Sequence, residues 1–183
     1  MYKMNILLVL VMLFSIPVFA KVQPAESKMK EGGKAHPFTL VTVKRKYKSL
    51  RKIRKANENK KIFLIFFTTS CKYCGKERTK IIEMAKKYTD ITPFFIAVRN
   101  PKDESISEFS ANVKKIIKDE KISYDIGLDL YSAVAKFYNV KEGTSISVPK
   151  LFIIDANNSK IIKVISGYEE KLEEIYKKLN KKN

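Results

Sequence analysis

Cysteine occurs only twice in this 183-residue chain, histidine once and tryptophan not at all, and glycine and proline number six each. So few glycines and prolines, gathered in no tract, exclude a fibrous or low-complexity protein. One cysteine pair and a distant His36 fall short of the four-ligand set of a structural zinc site, so no metal is expected. Gly75 follows the second cysteine where covalent haem attachment needs a histidine. No cysteine follows the N-terminal apolar run, which argues against a lipoprotein anchor. Acidic residues are scarce as well, 19 against 37 basic, for a formal charge of +18. The lysines are spread along the chain and do not alternate with aromatics as on a nucleic-acid platform, so no nucleic-acid partner is expected. Attraction to a membrane surface or to acidic partners is the other reading of that charge.

What the chain does contain is apolar material, 45% of its residues, enough for one domain with a proper core. No internal repeat is visible. Lys3, the apolar run Ile6 to Phe14 and the closing Pro17-Val18-Phe19-Ala20 follow the plan of a secretory signal peptide over residues 1–20. The run is short for a membrane span, and an uncleaved anchor is the alternative. Either way the protein is expected outside the cytoplasm, in the periplasm or on the cell-envelope face. Residues 21–35, broken by Pro24 and Gly32-Gly33, read as a flexible lead-in, and the domain is expected over 36–183.

Within that domain strands and helices alternate. Ile62 to Phe67 is a continuous β-branched and aromatic run, suited to a strand buried on both faces. A helix is expected over Cys71 to Tyr88, a second strand over Pro93 to Val98, and a helix over Glu104 to Lys118. A short strand at Tyr124 to Gly127, a helix at Tyr131 to Tyr138, strands at Val148 to Ile154 and Lys160 to Ser166, and a helix at Tyr168 to Leu179 complete the order. Upstream, Phe38 to Val43 reads as an extra strand and Tyr47 to Asn57 as a basic helix. The pattern predicts an α/β fold: a central mixed sheet flanked by helices on both faces, with an extra helix–strand insertion.

The chemistry points to Thr68-Thr69-Ser70-Cys71-Lys72-Tyr73-Cys74, directly after a buried strand and opening a helix. Three residues of separation on a first helical turn bring both sulfurs to one face within bonding reach. Free N–H groups and the positive end of the helix dipole favour a thiolate on Cys71, while Cys74 lies one turn deeper and suits a resolving role. A purely structural disulfide is the competing reading, although so small a loop gains little entropy from closure.

Strand-TTSCKYC-helix, followed some seventy residues on by Ser147-Val148-Pro149-Lys150-Leu151-Phe152-Ile153-Ile154-Asp155, resembles the thioredoxin superfamily. The arrangement between these motifs resembles its extracytoplasmic branch, typified by ResA, TlpA and the cytochrome c maturation thioredoxins. The likeness covers about residues 60 to 180. It implies a thioredoxin fold in which Pro149 is cis and faces the cysteines, leaving the Val148 backbone to pair with an extended client; the plain alternative is a trans proline opening a strand. It also implies that Glu77, one turn beyond Cys74, is buried and tunes the cysteines' protons; the alternative is a solvated helix glutamate. Tyr73 either shapes the client-binding surface or covers Cys74, and His36 reads as solvated.

The implied activity is that of a protein-disulfide reductase. Clients would be cysteine-pair proteins such as apocytochrome c, and the electron source a membrane donor of the DsbD or CcdA type. No cofactor is implied, and a monomer is expected. Departures from the family pattern leave the direction of electron flow open: Ile65 stands where cytoplasmic thioredoxins have a buried aspartate, Ser70 precedes the motif in place of tryptophan, and Lys72 favours a reduced, hence oxidising, centre. A Dsb-like oxidase or isomerase is thus the alternative enzyme, and a non-catalytic binding module the alternative from another class.

Overall fold

The structure, a computed structural model, describes residues 29–181; the expected signal segment 1–20 and residues 21–28 of the lead-in lie outside the described residues. A hairpin of β1 (Thr39–Thr42) and β2 (Tyr47–Ser49) leads into α1 (Leu50–Lys55). There follow β3 (Lys61–Phe67), α2 (Cys74–Lys87) and β4 (Ile91–Val98), then α3 (Ile106–Asp119) and β5 (Ile126–Asp129). Next come α4 (Ala133–Phe137), a small hairpin of β6 (Lys141–Glu142) and β7 (Ser145–Ile146), then β8 (Lys150–Asp155), β9 (Ile161–Ser166) and α5 (Leu172–Asn180).

Seven strands form one mixed sheet in the order β2-β1-β5-β4-β3-β8-β9. β3, β4 and β5 run parallel, and β1, β8 and β9 run antiparallel to their neighbours. β3 lies near the centre and every residue from Ile62 to Phe67 is fully buried, which explains its unbroken apolar run. Successive side chains point to opposite faces. Ile62, Leu64 and Phe66 pack with Leu50 and Ile53 of α1 and with Val134 and Tyr138. Phe63, Ile65 and Phe67 pack with Ile81 and Met84 of α2, Phe109 and Val113 of α3, and Leu172 and Tyr176 of α5. The expected mixed sheet covered on both faces is therefore what forms.

Three local expectations change. The basic helix expected over Tyr47 to Asn57 begins only at Leu50: Tyr47 and Lys48 pair with β1, and the Ser49 hydroxyl caps the helix by accepting the Lys52 N–H at 3.2 Å. The β6–β7 hairpin, turning through Gly143 at φ +56°, carries too little apolar pattern to be read in advance. Finally, residues 30–35 of the expected flexible lead-in are fixed along the outer edge of β9. Gly32 N–H donates to Ile161 O, Ile161 N–H to Gly33 O and Ala35 N–H to Ser159 O, each at 2.8 Å, and the Glu31 carboxylate accepts Val164 N–H. β9 is an edge strand whose unpaired backbone groups need partners, and this segment supplies them.

Candidate redox site

β3 delivers its last buried residue, Phe67, to the turn Thr68-Thr69-Ser70, and Cys71 N–H closes that turn on Thr68 O at 3.3 Å. The regular helix starts at Cys74, three residues later than expected, with Cys71 to Tyr73 forming the turn that enters it. The two cysteines are joined as a disulfide, with Cα atoms 5.4 Å apart. Their environments differ: Cys71 is half-buried, whereas Cys74 is 1% exposed. An incoming sulfur can reach Cys71 and is excluded from Cys74.

The Val148–Pro149 peptide is cis. Register places the proline beside the cysteine turn, because Lys150 pairs with Phe66 and Pro149 therefore lies level with Phe67. Pro149 is buried, and its carbonyl accepts Gly167 N–H at 2.8 Å. Val148 is half-buried and packs against the same apolar cluster as Cys71 and Cys74. Tyr73 is 52% exposed, and the Lys72 ammonium lies 6.0 Å from its ring centroid. His36 sits apart, half-buried and stacked on Phe137 at 4.0 Å, and no metal-ligand cluster exists among the described residues.

Glu77 is 1% exposed. One carboxylate oxygen, Oε2, accepts the Glu169 N–H at 3.3 Å, and Oε1 is buried with no partner. Burial raises its pKa from 4.5 to about 6, against the opposing pull of the Glu169 amide and the Lys80 charge. Lys80, one turn further along α2, donates to Glu169 O at 3.2 Å and to Glu170 O. It thereby holds the segment whose amide faces Glu77. Lys80→Met should raise the Glu77 proton affinity further, since both a nearby cation and a tethered donor are lost. Lys80→Arg should restore it. The carboxyl carbon shift of Glu77, followed by NMR against pH, checks this; a midpoint still near 6 in Lys80→Met would remove Lys80 from the site.

Two contacts of the site escape reading from sequence. Arg78 is 3% exposed, stacks 4.4 Å over the Phe67 ring and forks onto Glu120 through Nε at 2.8 Å and through Nη2. Thr69 donates its hydroxyl to Glu104 Oε1 at 2.7 Å, and Asn112 donates to Oε2 of the same carboxylate at 3.0 Å. Both contacts tie the cysteine turn and its helix to the α3 insertion across more than thirty residues of chain, a separation with no local signal. Beside the Thr69–Glu104 contact opens a cleft of about 410 Å³ whose lining includes Ser70, Asp103, Asn112, Lys115 and Asp119. A reactive sulfur, a buried partner sulfur, a buried carboxylate and an adjoining cleft are parts suited to disulfide exchange.

The chain is similar to known proteins. Residues 32–164 match the AhpC/TSA family. Thiol-disulfide oxidoreductase ResA of Bacillus thuringiensis subsp. konkukian (strain 97-27) is 28% identical over 181 residues, 98% of this chain and 95% of that protein. ResA of Bacillus cereus (strain ATCC 10987 / NRS 248) is similar to the same extent. Among solved structures, a thiol-disulfide oxidoreductase from Bacteroides fragilis superposes with TM-score 0.62 at 20% identity, over 80% of this chain and 99% of that one. A secreted Mycobacterium tuberculosis disulfide oxidoreductase homologous to Escherichia coli DsbE gives TM-score 0.57 at 15% identity, over 79% and 95%. The chain belongs to the AhpC/TSA family within the thioredoxin superfamily, and its Cys71–Cys74 pair is the centre of a thiol-disulfide oxidoreductase.

Proposed function

We propose that the protein is an exported reductase of client protein disulfides, working in the manner of the ResA proteins it is similar to. The observation that carries this reading is the asymmetry of the pair, an accessible Cys71 over a sealed Cys74. In the reduced protein the Cys71 thiolate attacks one sulfur of a client disulfide; a mixed disulfide forms and the other client sulfur leaves as a thiolate. Glu77 then takes the Cys74 proton, and the Cys74 thiolate attacks the Cys71 sulfur. The second client thiolate departs and is protonated. The client gains two electrons and the protein is left as its disulfide.

A dithiol donor on the membrane, of the DsbD or CcdA type, would return those electrons, and apocytochrome c is the client class that the family resemblance favours. The client's chain lies in extended form along Val148, beside the cis-proline, with Tyr73 at its margin. The leader read in residues 1–20 supports export. Lys72, beside the Cys71 thiolate, favours the opposite direction of flow and keeps a Dsb-like oxidase as the second reading.

Equilibrating the Cys71–Cys74 pair in thiol redox buffers separates the two. A potential near roughly −270 mV is expected for a reductase, and one near roughly −120 mV would make the protein a disulfide donor. Absence of any reversible two-electron transition would sink both.

A further inference from the structure

Residues 44–55 read KRKYKSLRKIRK, eight of twelve basic and none acidic, and the redox chemistry uses none of them. They form the β1–β2 turn, β2 and α1. We propose that this surface docks the protein on an anionic lipid bilayer with the redox centre turned away from it.

Topology supplies the orientation. β5 runs parallel to β3 through β4 and antiparallel to β1, so the β1–β2 turn points away from the cysteine end of the sheet, from a level near the middle of β3, where Ile126 lies beside Phe95 and Ile65. The β1–β2 turn is held in that direction by Lys48 and Lys44, which reach Asp125, just before β5, at 3.1 and 3.9 Å. The C-terminal end of α1 also lies away from the cysteines. Arg54 donates to Ala156 O at 2.8 Å and to Asn157 O at 2.7 Å in the turn after β8, which runs antiparallel to β3. Two separate elements, the β1–β2 turn and α1, thus carry cations, and Lys44, Arg45, Lys46, Arg51, Lys52 and Lys55 are exposed on them. Asp125, Glu58 and Asp155 are acidic groups beside them, too few to neutralise eight cations.

Three observations favour a phosphate-bearing lipid surface. An open cavity of about 380 Å³ is lined by Arg51, Arg54 and Lys55, with Glu58 and Asn157 at its side, a place for headgroup phosphates. Tyr47, 70% exposed between Lys46 and Lys48, is the amphipathic ring type enriched at the membrane–water interface. Arg45 occupies a left-handed position at φ 58°, where glycine or asparagine is the unstrained choice, so a cation stands there against the conformational preference. Edge lysines also discourage strand pairing, but that needs one or two charges rather than a run continued through a helix. A lone tyrosine offers no stacking row for a nucleic acid. A broad, flat anionic surface meets the hairpin turn and the helix end together.

The test is co-sedimentation of the full chain with phosphatidylglycerol-rich and pure phosphatidylcholine vesicles. Every variant keeps the N-terminal apolar run, whose contribution does not depend on salt. Binding to the anionic vesicles is expected to be much stronger, and its excess over binding to phosphatidylcholine to collapse as salt rises from about 0.1 M to about 1 M and the screening length shrinks from about 10 to about 3 Å. Lys44→Gln, Arg45→Asn and Lys46→Gln combined should lower the partition coefficient by about 100-fold. Removing three charges elsewhere (Lys102→Gln, Lys114→Gln, Lys118→Gln) should leave it nearly unchanged. Equal losses from the two triple variants would overturn the proposal in favour of undirected net charge. Binding to heparin without binding to anionic vesicles would overturn it in favour of a soluble polyanion. Disulfide exchange with a soluble substrate should be unaltered in both variants, so this proposal and the redox assignment fail separately.

Discussion

Replacing Cys71 by serine should lower the rate of client disulfide reduction by more than about 10³-fold. A serine hydroxyl is not ionised near neutral pH and forms no disulfide, so the first sulfur–sulfur exchange has no nucleophile. The partner substitution has a different signature. Cys74→Ser leaves the half-buried Cys71 free to attack but removes the only sulfur within reach that can release the client. It should accumulate a mixed disulfide, visible as a mass increase equal to that of the client and reversed by added thiol. Rapid-mixing kinetics and intact mass spectrometry on the two variants separate attack from release. If Cys71→Ser kept full function in a client assay, the non-catalytic binding reading would replace the enzymatic one. If Cys74→Ser released its client at the wild-type rate, Cys74 would not be the resolving sulfur.

Glu77→Gln should have two effects of opposite sense. In the exchange reaction it removes the proton acceptor proposed for Cys74 while nearly preserving shape. Client release should slow by roughly 10²-fold, with attack by Cys71 little changed. The wild-type release rate should rise with pH through about 6, where the carboxylate ionises, and that inflexion should vanish in Glu77→Gln. In folding, the buried carboxyl has its pKa raised from 4.5 to about 6, so the folded state holds its proton more tightly than the unfolded chain does. The resulting stability is fully present below pH 4.5 and is lost as pH rises through 6, a difference of about 2 kcal/mol. Glutamine carries no such proton. Above pH 6 the variant should therefore be more stable than wild type by up to about 2 kcal/mol, with the gain fading towards pH 4.5. Urea denaturation at pH 4.5 and pH 8 reads this directly. A release rate that Glu77→Gln leaves untouched, with the stability gain present, would reduce Glu77 to a buried cost with no part in exchange.

The legible parts of this molecule were those with a short-range signature. The Ile62–Phe67 run could only be a strand covered on both faces, and every one of its side chains is fully buried. The CKYC sequence at a strand-to-helix junction carried the redox pair, because three residues of spacing bring two sulfurs together in almost any such turn. Helical spacing assigned Glu77 to the face of Cys74, whereas only the family resemblance implied its burial. That burial comes from the segment around Glu169, more than ninety residues later, folding over α2. The docking of residues 30–35 on β9 has no local signature for a related reason. The segment's partners belong to the far end of the chain, and its own composition of glycine and lysine carries no apolar period.

By itself, then, the sequence determined the order of the longer strands and helices, the pair of sulfurs and the family to which both belong, since each rests on residues close together in the chain. Tertiary structure alone decided how that pair is tuned. It sealed Cys74 while leaving Cys71 within reach, left a carboxylate oxygen of Glu77 without a partner, and set Arg78 on Phe67 against Glu120. It also pointed the β1–β2 turn and the end of α1 away from the cysteines. Burial and electrostatic environment are sums over neighbours contributed by distant segments, and no window along the chain contains them.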